Sequence, residues 1–286
     1  MLGRRGTLKF LVGPPSLWLA LFFLVPLVLI AAYSLRAGSG AIGPSEPWAP
    51  SLEHFREVLG TPAFVRLLGV SVLMALVIAT GATLLAYPVA YFLAFRAGRR
   101  APLFLTLLLV PFAVSYLLRV MAWKLMLGPE GGINSLLSTL GLTAEPIGLL
   151  LYSRPAVIIT LIYIWIPFAA LPIYAAMQRI DRSQLEAAAD LGAGPWSRFW
   201  RVTVPLSLPG ALLTFFMVFI PTVGEYVTPA LVGGTDGIMY GNIIGGFFTR
   251  SANWPMGSAM AMIMLALTLT LVVVGVRVVN FRRVTA

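Results

Sequence analysis

Long apolar runs separated by short polar stretches dominate the chain, and their lengths predict helices that cross a membrane. Between Lys9 and Arg36 lie 26 residues without a charge, where about 20 suffice to span a bilayer. The run follows a basic start at Arg4, Arg5 and Lys9, exceeds the apolar part of a secretion signal and meets no clear small-residue cleavage site. A retained helix near residues 14–35 is therefore expected. Further runs predict spans over 67–95, 101–127, 155–178, 206–231 and 255–277, six in all, within one membrane domain covering 1–286. Residues 36–64, with Glu46, Trp48, Glu53, His54 and Glu57, read as a polar loop in which His54 is solvated. Gly128, Pro129, Gly131, Gly132 and Pro146 mark a second loop.

Composition sharpens this to an all-α membrane protein. Of 286 residues 59% are hydrophobic and 10% charged, and the mean hydropathy is +0.92, which excludes an ordinary soluble globular chain. There is no cysteine and a single histidine, so thiolate metal sites, cysteine nucleophiles and most acid–base chemistry lose their reagents. The net charge of +10 does not point to nucleic acid, because the basic residues lie near the ends of apolar runs. The two termini, the 96–100 loop and the 179–201 loop hold 13 of the 20 Lys and Arg residues. The positive-inside rule then places both termini and the 179–205 loop in the cytoplasm.

That loop contains the one stretch that reads like a soluble helix, SQLEAAADLGAGPWSRFWRVTVP from Ser183 to Pro205. Ser183 and Glu186 have capping-box spacing, which predicts a helix starting at Ser183. Ala187, Ala188 and Ala189 favour helix and keep its surface slim. Gly192 suits a left-handed stop, and Pro195 can open a second helix.

These residues resemble the EAA loop of permease subunits in ATP-binding-cassette importers: EAA, three residues, Gly, nine residues, Ile, one residue, Leu-Pro. Glu186, Ala187, Ala188 and Gly192 fall in register, while Val202 replaces the isoleucine and Val204-Pro205 replaces Leu-Pro. PFAVSYLLRVMAW from Pro111, FIPTVGEYVTPALVGG from Phe219 and YGNIIGGFFTRSANWPMGSAM from Tyr240 resemble the spermidine/putrescine branch. The resemblance implies a type I (MetI-like) importer permease of the bacterial inner membrane, with five core helices and the first helix at the side. It implies a second permease subunit, an extracytoplasmic solute-binding protein and an ATPase dimer that uses ATP, with no cofactor on this chain. The loop would be the coupling helix, docking through Ser183, Glu186, Ala187, Ala188 and Gly192 into the ATPase. The chain has no G-x-x-x-x-G-K-[ST] run, so ATP hydrolysis is expected on the separate subunit. Importers of ferric iron, thiamine, sulfate or organophosphonate share the loop and are the alternatives within the class. A gated channel is the alternative outside it.

Glu225 is the single acidic residue in an expected span, and an ionisable residue there is a functional candidate because an unpaired charge in lipid is costly. Taken as straight helices, the spans put Glu225 about 29 Å above Leu206 and Arg119 about 27 Å above Ala101. A Glu225–Arg119 pair, or a shared watery site, is expected towards the outer face. Bends at Pro221, Gly224 and Pro229 would free carbonyls beside it. Tyr226 and Trp123, with Tyr163 and Trp165, offer aromatic faces to a cationic substrate, although aromatics near span ends commonly serve as interfacial anchors. Lys124 is expected to snorkel outward, and Met256, Met260, Met262 and Met264 to pack a helix.

Overall fold

The computed structural model describes residues 4–38, 49–143 and 145–284, and all regular elements among them are helical apart from an isolated bridge between Arg36 and Pro50. Glu46 and Trp48 lie outside the described residues. In chain order the α-helices are α1 (Arg4–Leu19), α2 (Val25–Ser34), α3 (Glu53–Gly60), α4 (Pro62–Tyr91), α5 (Ala101–Leu109), α6 (Tyr116–Leu127), α7 (Gly132–Thr139), α8 (Arg154–Gln178), α9 (Arg182–Asp190), α10 (Pro195–Arg198), α11 (Val204–Val223), α12 (Tyr240–Thr249) and α13 (Trp254–Val284). Among the described residues five stretches are long and apolar enough to cross a membrane: Leu11–Ser34, Pro62–Arg96, Arg154–Gln178, Pro195–Val223 and Trp254–Arg277. A bent pair, Gly98–Ala113 with Tyr116–Thr139, makes a sixth if counted as one span.

The chain divides into two compact units, the first from Met1–Arg66 and Ile243–Ala286. Here α2 lies along α13, with the Tyr33 and Trp254 rings 6.1 Å apart and Phe248 edge-on to Trp254 at 5.5 Å. The most apolar window of the Leu11–Ser34 stretch has no buried residue, as befits a helix whose faces are left to lipid. His54 departs from its expected solvation: it is 5% exposed, and its Nε2 lies 3.0 Å from the Gly38 carbonyl oxygen. The reason is the amphipathic helix α3, which puts His54 and Val58 four residues apart on one buried face.

The second unit, Leu67–Asn242, is built on close backbone approach. Helix α4 presents a ridge of fully buried small residues, Ala75, Ala79, Ala82, Ala86 and Ala90. Between α8 and α11 the contact rests on Gly210, where an added Cβ would sit 2.5 Å from Ala176 Cβ and 2.7 Å from the Pro172 carbonyl oxygen. One turn on, the buried Thr214 hydroxyl donates to the Ala169 carbonyl across the same seam at 3.1 Å. Small residues and hydroxyl bridges of this kind join helices where lipid removes the hydrophobic incentive. Tyr87 on α4 shares a 2.6 Å hydrogen bond with Ser207 on α11.

Two expected spans are not continuous helices. The 101–127 stretch begins as α5, tightens into a 3₁₀ turn at Val110–Ala113 and becomes extended at Val114 and Ser115 (ψ 137° and 141°) before α6. The two parts meet at 87°. Pro111 removes a backbone donor at this point, and the helix stops. The 206–231 stretch ends as α11 at Val223, well before Leu231. Towards the N-terminus it instead continues back through a π-helical turn at Phe199–Thr203 to α10. Residues 224–226 are irregular, and helical structure resumes at Val227.

Candidate functional site

The loop after α8 folds largely as its residues suggest, with a different start. Asp181, not Ser183, is the N-cap of α9: its Oδ1 accepts from the Ser183 backbone N–H at 3.0 Å, and its backbone is extended (ψ 129°). The Ser183–Glu186 capping box is therefore not what opens the helix. Asp181 and Gln184 satisfy the same spacing two residues earlier, and a carboxylate is the stronger acceptor. At the other end Gly192 has φ +81°. Its N–H donates to the Ala189 carbonyl at 2.9 Å, and the Ala193 N–H donates to the Ala188 carbonyl at 3.0 Å. Both hydrogen bonds of a Schellman stop are present. Pro195 stands at the start of α10, as its residue type suggests.

No residue of α9 is buried. Glu186 and Ala187 are exposed and Ala188 is half-buried, so the slim alanine surface is open to a partner. Leu191 and Trp196, which sequence reasoning did not single out, are 89% and 73% exposed. Beside Leu191 a notch of about 390 Å³ is lined by Ala188, Gly192, Ser197, Arg198 and Arg201, among others.

The second candidate region lies in the second unit, where the breaks in the two spans bring side chains together. Glu225 is half-buried, and its Oε1 accepts from the backbone N–H groups of Val227 and Thr228 at 2.9 and 3.1 Å. The carboxylate thus caps the helix that restarts beyond the break. The irregular segment is braced from behind. Asn242 Nδ2 donates to the Tyr226 carbonyl at 2.7 Å, and Gly241 is so close that a Cβ would lie 2.7 Å from the Gly224 carbonyl oxygen. Tyr240 is fully buried beside it, its backbone N–H donating to Ser71 Oγ at 2.7 Å. Burial pushes the Tyr240 phenol up to about 12, so it is neutral at physiological pH.

Arg119 and Glu225 do not form the expected ion pair: among the described residues no carboxylate oxygen lies within 4.0 Å of the guanidinium. Arg119 Cζ instead lies 4.7 Å from the Phe112 ring centroid and 5.9 Å from that of Tyr116. The expected depths assumed a straight helix, and the break before α6 removes their basis. The shared-site alternative keeps a geometric footing, because the Tyr116 ring centroid lies 5.9 Å from Arg119 Cζ while its hydroxyl is 2.6 Å from Thr228 Oγ1, whose residue's N–H donates to Glu225. Phe112 also meets Phe168 edge-on at 4.0 Å, and Trp165 lies 6.0 Å from Phe168. The Trp165 Nε1 and Arg119 Nε atoms are buried without hydrogen-bond partners.

Of the other candidates, Trp123 is half-buried with its ring 5.2 Å from that of Tyr163, while Tyr226 is 57% exposed. Lys124 Nζ lies 5.5 Å from the ring of the exposed Tyr152. Met256 and Met260 are buried packing residues, as expected. Phe112, Phe168 and Thr228 escaped sequence reasoning, because the first two carry no charge and their partners lie across a helix break.

Known proteins supply the context for these two regions. The chain is 34% identical over 244 residues to the spermidine/putrescine transport system permease protein PotB of Haemophilus influenzae, covering 85% of this chain and 84% of that one. It is 34% identical over 242 residues to the protein of the same name from Escherichia coli K12, covering 85% and 86%. In structure it resembles a chain of a bacterial ABC transporter involved in the import of the acidic polysaccharide alginate, with a TM-score of 0.72, 18% identity, and coverage of 100% and 98%. At that identity the likeness speaks for the fold alone, and the fold is that of the permease expected from the EAA loop. The sequence profile of the binding-protein-dependent transport system inner membrane component family matches residues 5–285, and the chain belongs to that family.

Proposed function

We propose that this chain forms half of the transmembrane pathway of an ATP-driven importer of polyamines such as spermidine and putrescine. The observation that carries the cargo is a carboxylate beside an aromatic residue where two helix breaks meet, the Tyr116 hydroxyl lying 2.6 Å from Thr228 Oγ1 and the Thr228 N–H donating to Glu225 at 3.1 Å, in a chain one third identical to permeases named for those amines. Protonated amines are bound by carboxylates and by aromatic faces, and irregular backbone within a membrane is tolerated where it lines a protein cavity. Trp123, one turn beyond Arg119 on α6, and Tyr163 of α8 against it extend the aromatic lining, and Tyr226 offers an exposed ring beside Glu225.

In this reading a second, related permease completes the pathway, and a solute-binding protein delivers the cargo at the outer face. An ATPase dimer consumes ATP at the cytoplasmic face, where both termini lie. Helix α9 is the coupling element. Its capped start at Asp181, its exposed surface at Glu186, Ala187 and Ala188, and its stop at Gly192 give a short rigid rod with narrow sides. Such a rod can enter a groove on the ATPase and transmit its closure to α8 and α11, which are locked together at Gly210 and Thr214.

The test is ATP hydrolysis and uptake by the complex reconstituted with its binding protein, on adding spermidine, putrescine or control solutes. Stimulation by a polyamine supports the reading. Stimulation by another solute instead would keep the importer and discard the cargo.

A further inference from the structure

Arg119 poses a problem that the polyamine reading leaves open, and the solution offered for it rests on that reading. A guanidinium inside an apolar stretch is costly and normally pairs with a carboxylate. Among the described residues Arg119 has no carboxylate oxygen within 4.0 Å. It lies over Phe112 and Tyr116 at 4.7 and 5.9 Å, with Nε buried and unpartnered. A carboxylate is nonetheless at hand: the Tyr116 hydroxyl lies 2.6 Å from Thr228 Oγ1, and the Thr228 N–H donates to Glu225 Oε1 at 3.1 Å. Glu225 directs Oε1 to the Val227 and Thr228 N–H groups. A cation held over aromatic faces, near a carboxylate it does not bind directly, is what a substrate ammonium in this pathway would look like.

We propose that the Arg119 guanidinium is a tethered occupant of the ammonium subsite formed by Phe112, Tyr116 and Glu225, and that a transported amine must displace it. The weakly hydrated, planar guanidinium stacks on rings without a full set of hydrogen bonds, so displacement costs a ring contact rather than a salt bridge. The tether keeps the subsite filled between transport cycles and excludes inorganic cations. Once displaced, its charge repels the amine that replaced it, which serves release, because a pathway must bind its cargo weakly enough to let it leave. The means is the side chain: Arg119 stands three residues after Tyr116 on α6, so rotation about its side-chain torsions lifts the guanidinium off both rings and leaves the subsite in place.

The experiment is equilibrium binding of radiolabelled spermidine to the complete importer without its binding protein, with spermidine uptake by the wild type in proteoliposomes measured alongside. Arg119→Gln is expected to bind about tenfold more tightly than wild type, the equivalent of one cation–π contact. Arg119→Lys, which keeps the charge on a compact head that stacks less well, should bind about threefold more tightly. If Arg119→Gln does not assemble, the lysine variant decides alone. Unchanged, weaker or unmeasurable binding in every assembled variant, with wild-type uptake intact, overturns the tethered-cation assignment and leaves the polyamine reading standing. Absence of both uptake and binding of polyamines by the wild type overturns that reading and the assignment with it.

Discussion

The chain interrupts its helices in two ways. At Gly192 the stop is local: a positive φ and two backbone hydrogen bonds within six residues complete it, and a Cβ placed there would meet nothing within 4 Å. At Val114 and Ser115, and again at residues 224–226, the interruption depends on distant parts of the chain. Tyr116 reaches Thr228 across 112 residues, and Asn242 and Gly241 hold the Glu225 segment. A local stop makes a rigid, solvent-facing rod suited to transmitting force. A stop made by distant contacts leaves carbonyls, a carboxylate and rings facing one another, which suits recognition, and it can change when those contacts change.

That contrast can be broken by experiment. The largest effect is expected at Glu225→Gln, which removes the carboxylate and keeps its size: uptake in proteoliposomes should fall more than tenfold while the complex still assembles. Uptake within twofold of wild type would detach the irregular region from transport. Next is Gly192→Val, which places a β-branched residue at φ +81° at a cost of about 1–2 kcal/mol. ATP hydrolysis should persist while uptake falls, and normal coupling would remove α9 from its assigned role. Gly210→Val should overpack the α8–α11 seam by about 1–3 kcal/mol and lower the midpoint of thermal unfolding, since even a Cβ would lie 2.5 Å from Ala176. An unchanged midpoint would mean that the seam is not rigid. Smallest is the cap: Asp181→Ala should cost about 1 kcal/mol and Ser183→Ala almost nothing. The reverse order in thermal unfolding would restore Ser183 as the cap.

Most of the loop was legible in the residues because capping, alanine propensity and glycine stops act within a few positions. Its one error was also local. Two overlapping motifs, Ser183 with Glu186 and Asp181 with Gln184, compete for the same start, and spacing alone does not rank them. The candidate pathway was legible as a set of unusual residues, Glu225 and Arg119, but not as an arrangement. The expected ion pair came from two straight helices, and the helices are not straight. Phe112 and Tyr116 are four residues apart, which on one helix would suggest a shared face. The break between them means that helical periodicity does not define their relation.

The sequence by itself determined that the chain is helical and membrane-embedded, roughly where its apolar stretches begin and end, and that its exposed loop carries a capped helix. Each of these comes from hydrophobicity, charge and propensity summed over neighbouring residues. Tertiary structure alone decided which prolines matter. Pro88, Pro167, Pro172, Pro209 and Pro221 all lie inside continuous helices, whereas Pro111 sits at an 87° bend. Every proline removes the same backbone donor. Whether the helix survives depends on what packs around the loss, and those neighbours come from other parts of the chain.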